Sequence, residues 1–264
     1  MIVMAEELVH YRADRGVATV TLDSPHNRNA LSAQLRREFA EALTTALGDD
    51  AVRVIVLDHT GPVFCSGMDL KEARGAGSSE QGVNEFPQLL SRIMTSPKPV
   101  VAKLAGPARA GGVGLVAAAD IAIAVEEATF AFSEVRIGVV PAVISVPVLP
   151  RLLPRAAHEL FLTGEPFDAK RAAEIGLINA AVPRDELDAT VDRYVKSLTA
   201  GGPQALAATK ELLRGGSNAT DEDALAAAFS DMLALSARFF ASEEGQEGIR
   251  AFAEKRKPNW VPDA

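Results

Sequence analysis

The sequence predicts an α/β protein whose carboxyl-terminal part is helical. From residue 17 to residue 132, short apolar runs alternate with helical stretches, which is the pattern of stacked β/α units. After about residue 155 the strand pattern nearly vanishes and helical segments follow. We therefore expect an α/β core over residues 1–200 and a helical carboxyl-terminal subdomain over residues 201–264.

Individual elements follow from hydrophobic spacing. Predicted strands cover residues 17–22, 52–57, 99–104, 120–125, 129–132 and, more briefly, 177–182. Between the first two, apolar residues recur every four positions, at Leu35, Phe39, Leu43 and Leu47. This spacing predicts a helix with one buried face, with Ser32 at its N-cap and Gly48 at its end. Later helices are expected at 184–198, 203–213, 221–240 and 242–255, and the Gly/Ser-rich stretch 73–84 is expected to be a mobile loop.

Composition excludes several classes of protein. The 264 residues are 48% apolar and 23% charged, which are ordinary globular values and argue against disorder. A net charge of −8 should repel a nucleic-acid backbone. Aromatic residues, at 5%, are too sparse for a base-stacking platform. A general nucleic-acid-binding role is therefore not expected.

Cysteine, histidine and hydropathy patterns narrow the choice further. Cys65 is alone and the four histidines are scattered, so neither a disulfide framework nor a metal site is expected. Acidic residues interrupt the amino-terminal stretch before an apolar run forms, so no signal peptide is expected. The longest uncharged stretch, residues 137–150, contains three prolines and is shorter than the roughly 20 residues of a membrane span. We expect a soluble, cytoplasmic protein.

Three polar or glycine-rich segments are candidates for chemistry. HNRNALS (26–32) is a polar loop that enters a helix, and FCSGMDLKE (64–72) reads as a strand end, a glycine turn and a new helix near Met68. AGPARAGGVGLVAAAD (105–120) is a second glycine-dense turn, whose first free N–H groups belong to Gly111 and Gly112. Two such turns at neighbouring strand ends could aim two N–H donors at one developing oxyanion. Each turn taken singly is equally compatible with a tight connection of no function.

The second glycine turn also resembles a dinucleotide-binding motif. Gly112, Gly114 and Ala117 fit G-x-G-x-x-A, and Glu134 lies 20 residues after Gly114. However, the next predicted strand begins at Asp120, which leaves a helix of about two turns, whereas a parallel crossover needs ten or more residues. A nicotinamide cofactor is therefore not favoured.

In this order and spacing, the segments resemble the crotonase (enoyl-CoA hydratase/isomerase) superfamily over nearly the whole chain. The resemblance rests on the residues NAL (29–31), FCSGMDLKE (64–72), the glycine turn ending at Asp120, FSEVRIGVVP (132–141), AAEIGLI (172–178) and EGIRAFAEKR (247–256). It implies a spiral of β/β/α units with a helical trimerisation region, and a trimer or hexamer. It also implies an acyl-CoA substrate, with coenzyme A entering as part of the substrate rather than as a cofactor.

The resemblance assigns roles to particular residues. The N–H groups of Met68 and Gly111 correspond to an oxyanion hole for a thioester carbonyl. The residues at the positions where the family binds coenzyme A are Arg28, Ala30, Lys71, Phe252 and Lys255. The last two resemble a pair that reaches the adenine end, commonly from a neighbouring subunit. A core aromatic residue and a solvated cation are the structural alternative for that pair.

The acidic residues bear on the reaction. Glu134 corresponds to one of two catalytic glutamates of the best-known hydratases, whereas the other position holds Gly114. Glu134 alone would then carry acid–base duty, unless Glu72, Glu80 or Glu85 substitutes for the missing carboxylate. Arg136 would share a strand face with Glu134 if the strand continued, and could pair with a substrate carboxylate or form a surface salt bridge.

Several functions remain open from the sequence. Hydration of a 2-enoyl-CoA by Glu134 is the leading hypothesis, since residues 133–145 with glycine at position 114 resemble the methylglutaconyl-CoA hydratase-like branch. The alternatives are a double-bond isomerase using the same glutamate and a weakly catalytic acyl-CoA-binding protein, and thioester cleavage by water that Glu134 activates is not separated from these by the sequence. The acyl pocket is expected between residues 73–90 and 142–148, which no motif fixes.

Overall fold

The computed structural model describes residues 7–69, 72, 85–215, 233, 238–239 and 242–261. With strands numbered in chain order, the main sheet contains β1 (Val9–Asp14), β2 (Val17–Leu22), β3 (Val54–His59), β4 (Val100–Leu104), β6 (Ile121–Val125) and β9 (Ala180–Val182). Their spatial order is β1-β2-β3-β4-β6-β9. The β1–β2 pair is antiparallel, and the other neighbouring pairs of this sheet are parallel.

The protein also contains a second, smaller sheet of three strands. It contains β5 (Ala108–Arg109), β7 (Thr129–Ala131) and β8 (Phe167–Asp168), in the order β5-β7-β8. β5 and β7 are parallel, whereas β7 and β8 are antiparallel. The rings of Phe130 and Phe132 lie 5.8 and 5.7 Å from the ring of Phe167, so this sheet has its own apolar contact surface.

Helices cover the sheets and form the carboxyl-terminal region. They are α1 (Ala33–Gly48), α2 (Phe86–Thr95), α3 (Gly111–Ala118), α4 (Ala142–Val148), α5 (Pro154–Thr163), α6 (Ala169–Glu174), α7 (Leu187–Ala200), α8 (Pro203–Arg214) and α9 (Glu243–Glu254). The predicted caps of α1 are confirmed: the Ser32 side chain accepts from Leu35 N, and the helix ends at Gly48. Helix 221–240 falls almost wholly outside the described residues, as does the loop predicted at 73–84.

Two strand predictions need correction. The strand predicted at 52–57 lies at 54–59, because the chain stays extended through Asp58, whose carboxylate pairs with Lys103 on β4 at 3.1 Å. Strand β1 was not predicted, since Val9 is its one fully buried residue and no apolar run marks it. Among the described strands it pairs with β2 alone, at the edge of the sheet.

The topology brings two glycine-rich segments together. β3 and β4 are parallel neighbours, so the segments that follow them leave from the same edge of the sheet. Backbone hydrogen bonds join these segments: Phe64 N donates to the Pro107 carbonyl at 2.9 Å, and Arg109 N donates to the Cys65 carbonyl at 3.0 Å. The two turns that the sequence singled out are therefore side by side.

Candidate active site

All three candidate segments meet beyond the carboxyl ends of β3 and β4. Leu31, from the polar loop, forms a parallel bridge with Met68, and Leu31 N donates to the Gly67 carbonyl at 2.8 Å. Cys65 forms a second parallel bridge with Ala108. Met68 is thus in an extended bridge, and not in the first turn of a helix as the sequence suggested.

Gly67 touches the start of helix α3. Its φ of +91° lies in a region that residues with a side chain rarely adopt. A Cβ added at Gly67 would lie 2.9 Å from Ala110 Cβ and 3.2 Å from Gly111 N. The peptide group between Gly67 and Met68 therefore starts beside the peptide group between Ala110 and Gly111.

Ala110 orients the second amide at a cost in backbone strain. Its φ of +46° and ψ of −119° are unusual for alanine, a type of strain worth about 1–3 kcal/mol. The conformation is held because Ala110 N donates to the Ala131 carbonyl at 3.1 Å. It places Gly111 as the first residue of α3, where the N–H group has no intrahelical acceptor.

The Met68 and Gly111 amides are the candidate hydrogen-bond donors of the site. Within the described part of the chain, neither Met68 N–H nor Gly111 N–H donates to a protein acceptor. Gly67 is buried and Met68 is half-buried, so the donors lie in partly desolvated surroundings, where a hydrogen bond to an anion is stronger than in water. Two such donors can stabilise an oxyanion that develops during a reaction.

Glu134 lies at the same edge of the molecule. It belongs to a 3-10 helix, Ser133–Ile137, that directly follows β7. Because β7 runs parallel to β5, and its last residue bonds to Ala110, this helical turn starts beside the residue that precedes Gly111. Glu134 Oε2 is buried and makes no hydrogen bond to any described residue. Burial raises the pKa of the Glu134 carboxyl above its usual value of 4.5.

Position 114 offers no space for a second carboxylate. A Cβ added at Gly114 would lie 2.8 Å from Ile144 Cγ2 and 3.6 Å from Phe86 Cζ. Both side chains are 3% exposed. They come from the ranges expected to line the acyl pocket, but sequence reasoning did not single out either residue. The side of α3 that carries Gly114 is therefore an apolar wall.

Two of the other acidic candidates, Glu72 and Glu85, make contacts elsewhere. Glu72 Oε2 accepts from Ala33 N at 2.8 Å, at the start of α1. Glu85 pairs with Arg36 at 3.4 Å, and Glu80 lies outside the described residues. Nothing in these contacts supports either described residue as a substitute for the missing carboxylate.

The structure decides between the two alternatives for Arg136. Residues 133–137 form a 3-10 helix, so the strand does not continue and Arg136 does not share a strand face with Glu134. The Arg136 guanidinium pairs with Glu165 at the surface, where both side chains are more than half exposed. Of the two alternatives, the surface salt bridge is the one found.

The predicted coenzyme A residues fall into two groups. Arg28 is exposed in a left-handed conformation, its carbonyl accepts from Ser66 N at 3.1 Å, and Ala30 is buried two residues later. These two residues adjoin the amide pair through the Leu31–Met68 bridge. Lys71 lies outside the described residues.

Phe252 and Lys255 are not brought to this edge of the sheet. The end of the described chain is held near the beginning of β3, where Arg53 donates to the Trp260 carbonyl at 2.6 Å and to the Gly201 carbonyl at 2.8 Å. Glu244 of α9 caps α8 from the same side, accepting from Gln204 N at 2.9 Å. Phe252 is 88% exposed, so the alternative of a core aromatic residue is wrong.

The remaining reactive groups do not form a rival site. Burial raises the pKa of the Cys65 thiol to about 12, so the thiolate nucleophile is not formed near neutral pH. Among the described residues, no group of three or more His, Cys, Asp or Glu side chains could hold a metal ion. No described helix is long and apolar enough to cross a membrane.

The fold and site together define an α/β protein that presents two backbone amides and one buried carboxylate at a sheet edge. The family model described as enoyl-CoA hydratase/isomerase matches residues 12–262. A Rhodobacter capsulatus protein named probable enoyl-CoA hydratase is 36% identical over 265 residues, covering 98% of this chain and 99% of its own.

Solved structures give the same result. An enoyl-CoA hydratase from Mycobacterium smegmatis superimposes with a TM-score of 0.86 at 34% identity, covering 97% of this chain and 99% of its own. One from Mycobacterium avium is 45% identical, with a TM-score of 0.73 and coverage of 97% and 99%. The chain belongs to the enoyl-CoA hydratase/isomerase family, the crotonase superfamily, and has its fold.

Proposed function

We propose that the protein hydrates a 2-enoyl-CoA thioester, with Glu134 as its single acid–base residue and the Met68 and Gly111 amides as its oxyanion hole. The observation that carries the proposal is the buried, unpaired Oε2 of Glu134, at the edge where both amides lack an acceptor among the described residues. A buried polar atom without a partner is costly, and such sites usually serve a ligand or a reaction.

The reaction proceeds through an enolate. Glu134 takes a proton from water, and the hydroxide oxygen bonds to the β-carbon of the substrate. The electron pair of the double bond moves to the thioester oxygen, where the two N–H groups stabilise the negative charge. Glu134 then returns its proton to the α-carbon, so that one water has been added and the carboxylate is restored. Each oxyanion donor is worth about 2.7–4 kcal/mol in comparable enzymes.

The environment of Glu134 suits this double role. A carboxyl group whose pKa is raised by burial holds a proton more readily than an exposed one, and it remains a base above that pKa. The same group can therefore accept a proton from water and donate it to carbon. No second carboxylate is required by this scheme.

Isomerisation is the second candidate, and the wall beside Gly114 favours it. Ile144 and Phe86 contact the position of a second side chain, and apolar surroundings on that side give no hydrogen bond to a water molecule. In an isomerase, Glu134 would remove an α-proton from a 3-enoyl-CoA and return it at the γ-carbon, through the same enolate. Water would take no part.

The nucleotide end of the substrate requires residues from two copies of the chain in this proposal. Arg28 and Ala30 adjoin the amides, whereas the described contacts of α9 place Phe252 and Lys255 toward the other edge of the sheet. The Phe252 side chain is 88% exposed, so its ring is accessible to a neighbouring molecule. We propose that Phe252 and Lys255 contact coenzyme A bound to a neighbouring subunit of a trimer.

Product identification from a panel of acyl-CoA thioesters tests the proposal. The panel should include linear, branched and carboxylated 2-enoyl- and 3-enoyl-CoAs, because hydration adds a water and isomerisation does not. Glu134→Gln should lower kcat by about 10²–10⁴ while leaving thioester binding largely intact. Glu174→Gln, an exposed carboxylate on α6, is the matched control and should retain activity. A wild-type protein that binds these esters and converts none would leave only the acyl-CoA-binding role.

A further inference from the structure

His59 is a buried histidine that the proposed mechanism does not use. It is the last residue of β3, is 8% exposed, and packs edge-on against Phe64 with ring centroids 5.5 Å apart. Both of its ring nitrogens make hydrogen bonds within the protein. Its environment therefore fixes the orientation of the ring.

The hydrogen bonds also fix its tautomer. Nε2 lies 2.9 Å from Ala105 N, and since a backbone N–H can only donate, Nε2 must be the unprotonated acceptor. Nδ1 then carries the proton and donates to the Thr60 carbonyl at 3.2 Å. A neutral ring in the Nδ1–H form satisfies both contacts, whereas the Nε2–H form and the charged ring would each place two hydrogens face to face.

The acceptor of His59 is shared with the polar loop. Asn29 Nδ2 donates to the same Thr60 carbonyl at 3.0 Å and to the Val63 carbonyl at 2.8 Å, and Asn29 Oδ1 accepts from Ser24 N at 2.7 Å. Asn29 is fully buried. The Thr60 carbonyl thus accepts hydrogen bonds from Asn29, on the polar loop, and from His59, which also bonds to Ala105 just after β4.

The bond to Ala105 begins a series of contacts that ends at the amide pair. Beyond Ala105, the Pro107 carbonyl accepts from Phe64 N, and Arg109 N donates to the Cys65 carbonyl. Gly67 then contacts Gly111. His59 makes the first contact in this series through its ring, whereas the hydrogen bonds that follow join backbone atoms.

We propose that His59 is a positioning residue, whose neutral ring holds the segment after β4 in register with the segment after β3, so that the Gly111 and Met68 amides converge. The inference rests on the proposed function, because it is the oxyanion site that this register serves. It assigns His59 no contact with substrate.

Burial and the surrounding charged groups set the pH at which His59 becomes protonated. Asp58, its neighbour on β3, pairs with Lys103 of β4 at 3.1 Å, and Lys103 also pairs with Asp188 of α7 at 2.7 Å. On the other sides, the Thr60 hydroxyl donates to Asp23, and Arg184 donates to the Ala105 carbonyl at 3.0 Å. Burial is the largest influence and lowers the pKa of His59 below 6.5. Protonation at acid pH would therefore break the Ala105 bond.

Nitrogen NMR of the wild-type protein is the first test. In protein labelled with nitrogen-15 histidine, the ring assigned to His59 should be neutral, carry its proton on Nδ1 and titrate below pH 6.5. Assignment follows from the signal lost in His59→Gln. A ring protonated on Nε2, or one that averages both tautomers, would overturn the inference. This measurement needs no turnover, so it separates the inference from the proposed function.

Two isosteric variants supply the second test. In His59→Gln, the side-chain oxygen replaces the Nε2 acceptor, so kcat should stay within about threefold of the wild-type value. The pH profile of kcat should lose the acid-dependent component due to His59 and keep the component due to Glu134. His59→Asn can replace only the Nδ1 donor and leaves the Ala105 N–H unpaired, so kcat should fall about tenfold or more. KM should change little in either variant.

The outcomes separate a positioning role from general destabilisation. His158→Gln, on the exposed face of α5, is the control and should match wild type in kcat and pH profile. Equal kcat values in the Asn and Gln variants at matched melting temperatures would overturn the inference. If either variant fails to fold, the wild-type tautomer and its pH dependence still decide. A wild type with the expected tautomer but no turnover would contradict the proposed function alone.

Discussion

Two parts of the candidate site differ in kind. At the carboxylate side, Glu134 presents a buried carboxylate oxygen that no described residue satisfies. At the apolar side, Gly114 lacks a side chain, and Ile144 and Phe86 contact the space where one would begin. Of these residues only Glu134 has a group that can move a proton, whereas the residues around Gly114 contribute shape. The comparison teaches that this site can be altered chemically at Glu134 and sterically at Gly114, while the backbone amides stay unchanged.

Moving an amide should have the largest effect on turnover, because both proposed reactions pass through an enolate that the amides stabilise. Gly67→Ala would add a Cβ 2.9 Å from Ala110 Cβ, at a φ of +91°. The shift should displace the Met68 N–H and lower kcat by about 10²–10³, as expected for the loss of one oxyanion donor. Steady-state kinetics with the best substrate of the panel measures it.

Gly16→Ala provides the matched control for that experiment. Gly16 has a φ of +80°, in the turn between β1 and β2, so the substitution introduces similar backbone strain away from the amides. Its kcat should remain close to the wild-type value. Equal losses in the two variants would attribute the effect of Gly67→Ala to stability alone.

The apolar side can be probed by a double-mutant cycle. Gly114→Glu forces a side chain against Ile144 and should cost about 1–3 kcal/mol in the free energy of unfolding, in addition to burying a carboxylate. Ile144→Ala alone should cost about 2–5 kcal/mol by opening a cavity. Together the changes should cost less than their sum, because the new side chain occupies the space that the smaller residue leaves. Urea denaturation measures each corner of the cycle, and strict additivity would show that the two positions are not in contact.

The carboxylate side predicts a smaller, pH-dependent effect on stability. Because burial raises the folded-state pKa of Glu134, the folded protein binds a proton more tightly than the unfolded chain does. The Glu134 contribution to stability therefore falls as pH rises from 4.5 through the folded-state pKa. Glu134→Gln should be more stable than wild type at pH 7, and the difference should shrink below pH 4.5. Thermal melts of both proteins at several pH values measure it, and a difference in stability that does not change with pH would contradict the prediction.

Much of the fold could be predicted because it is encoded in local patterns. Runs such as VATVTL mark strands that are buried, and the glycine-dense segments mark the turns beside the amides. Strand β1 gave no such signal, since most of its side chains are exposed, and the two-residue strands β5 and β8 are too short to leave one. The position of β3 was misjudged by two residues because the Asp58–Lys103 pair continues the strand past its apolar run.

The site was predictable where it depends on backbone turns and less so where it depends on packing. The contact between Gly67 and Gly111 follows from two turns at neighbouring strand ends, which sequence order suggests. The contact of Ile144 with Gly114 joins residues 30 positions apart on different helices, and neither residue type announces it. Arg136 would share a face with Glu134 only if the strand continued past residue 132, and the 3-10 helix at 133–137, which no apolar alternation marks, removes that condition.

A structure of the Glu134→Gln variant with an unreacted 2-enoyl-CoA bound tests the central claim most directly. The thioester oxygen should lie 2.7–3.1 Å from both Met68 N and Gly111 N, with the residue 134 side chain facing the α- and β-carbons. A thioester oxygen that meets neither amide, or only one of them, would contradict the account.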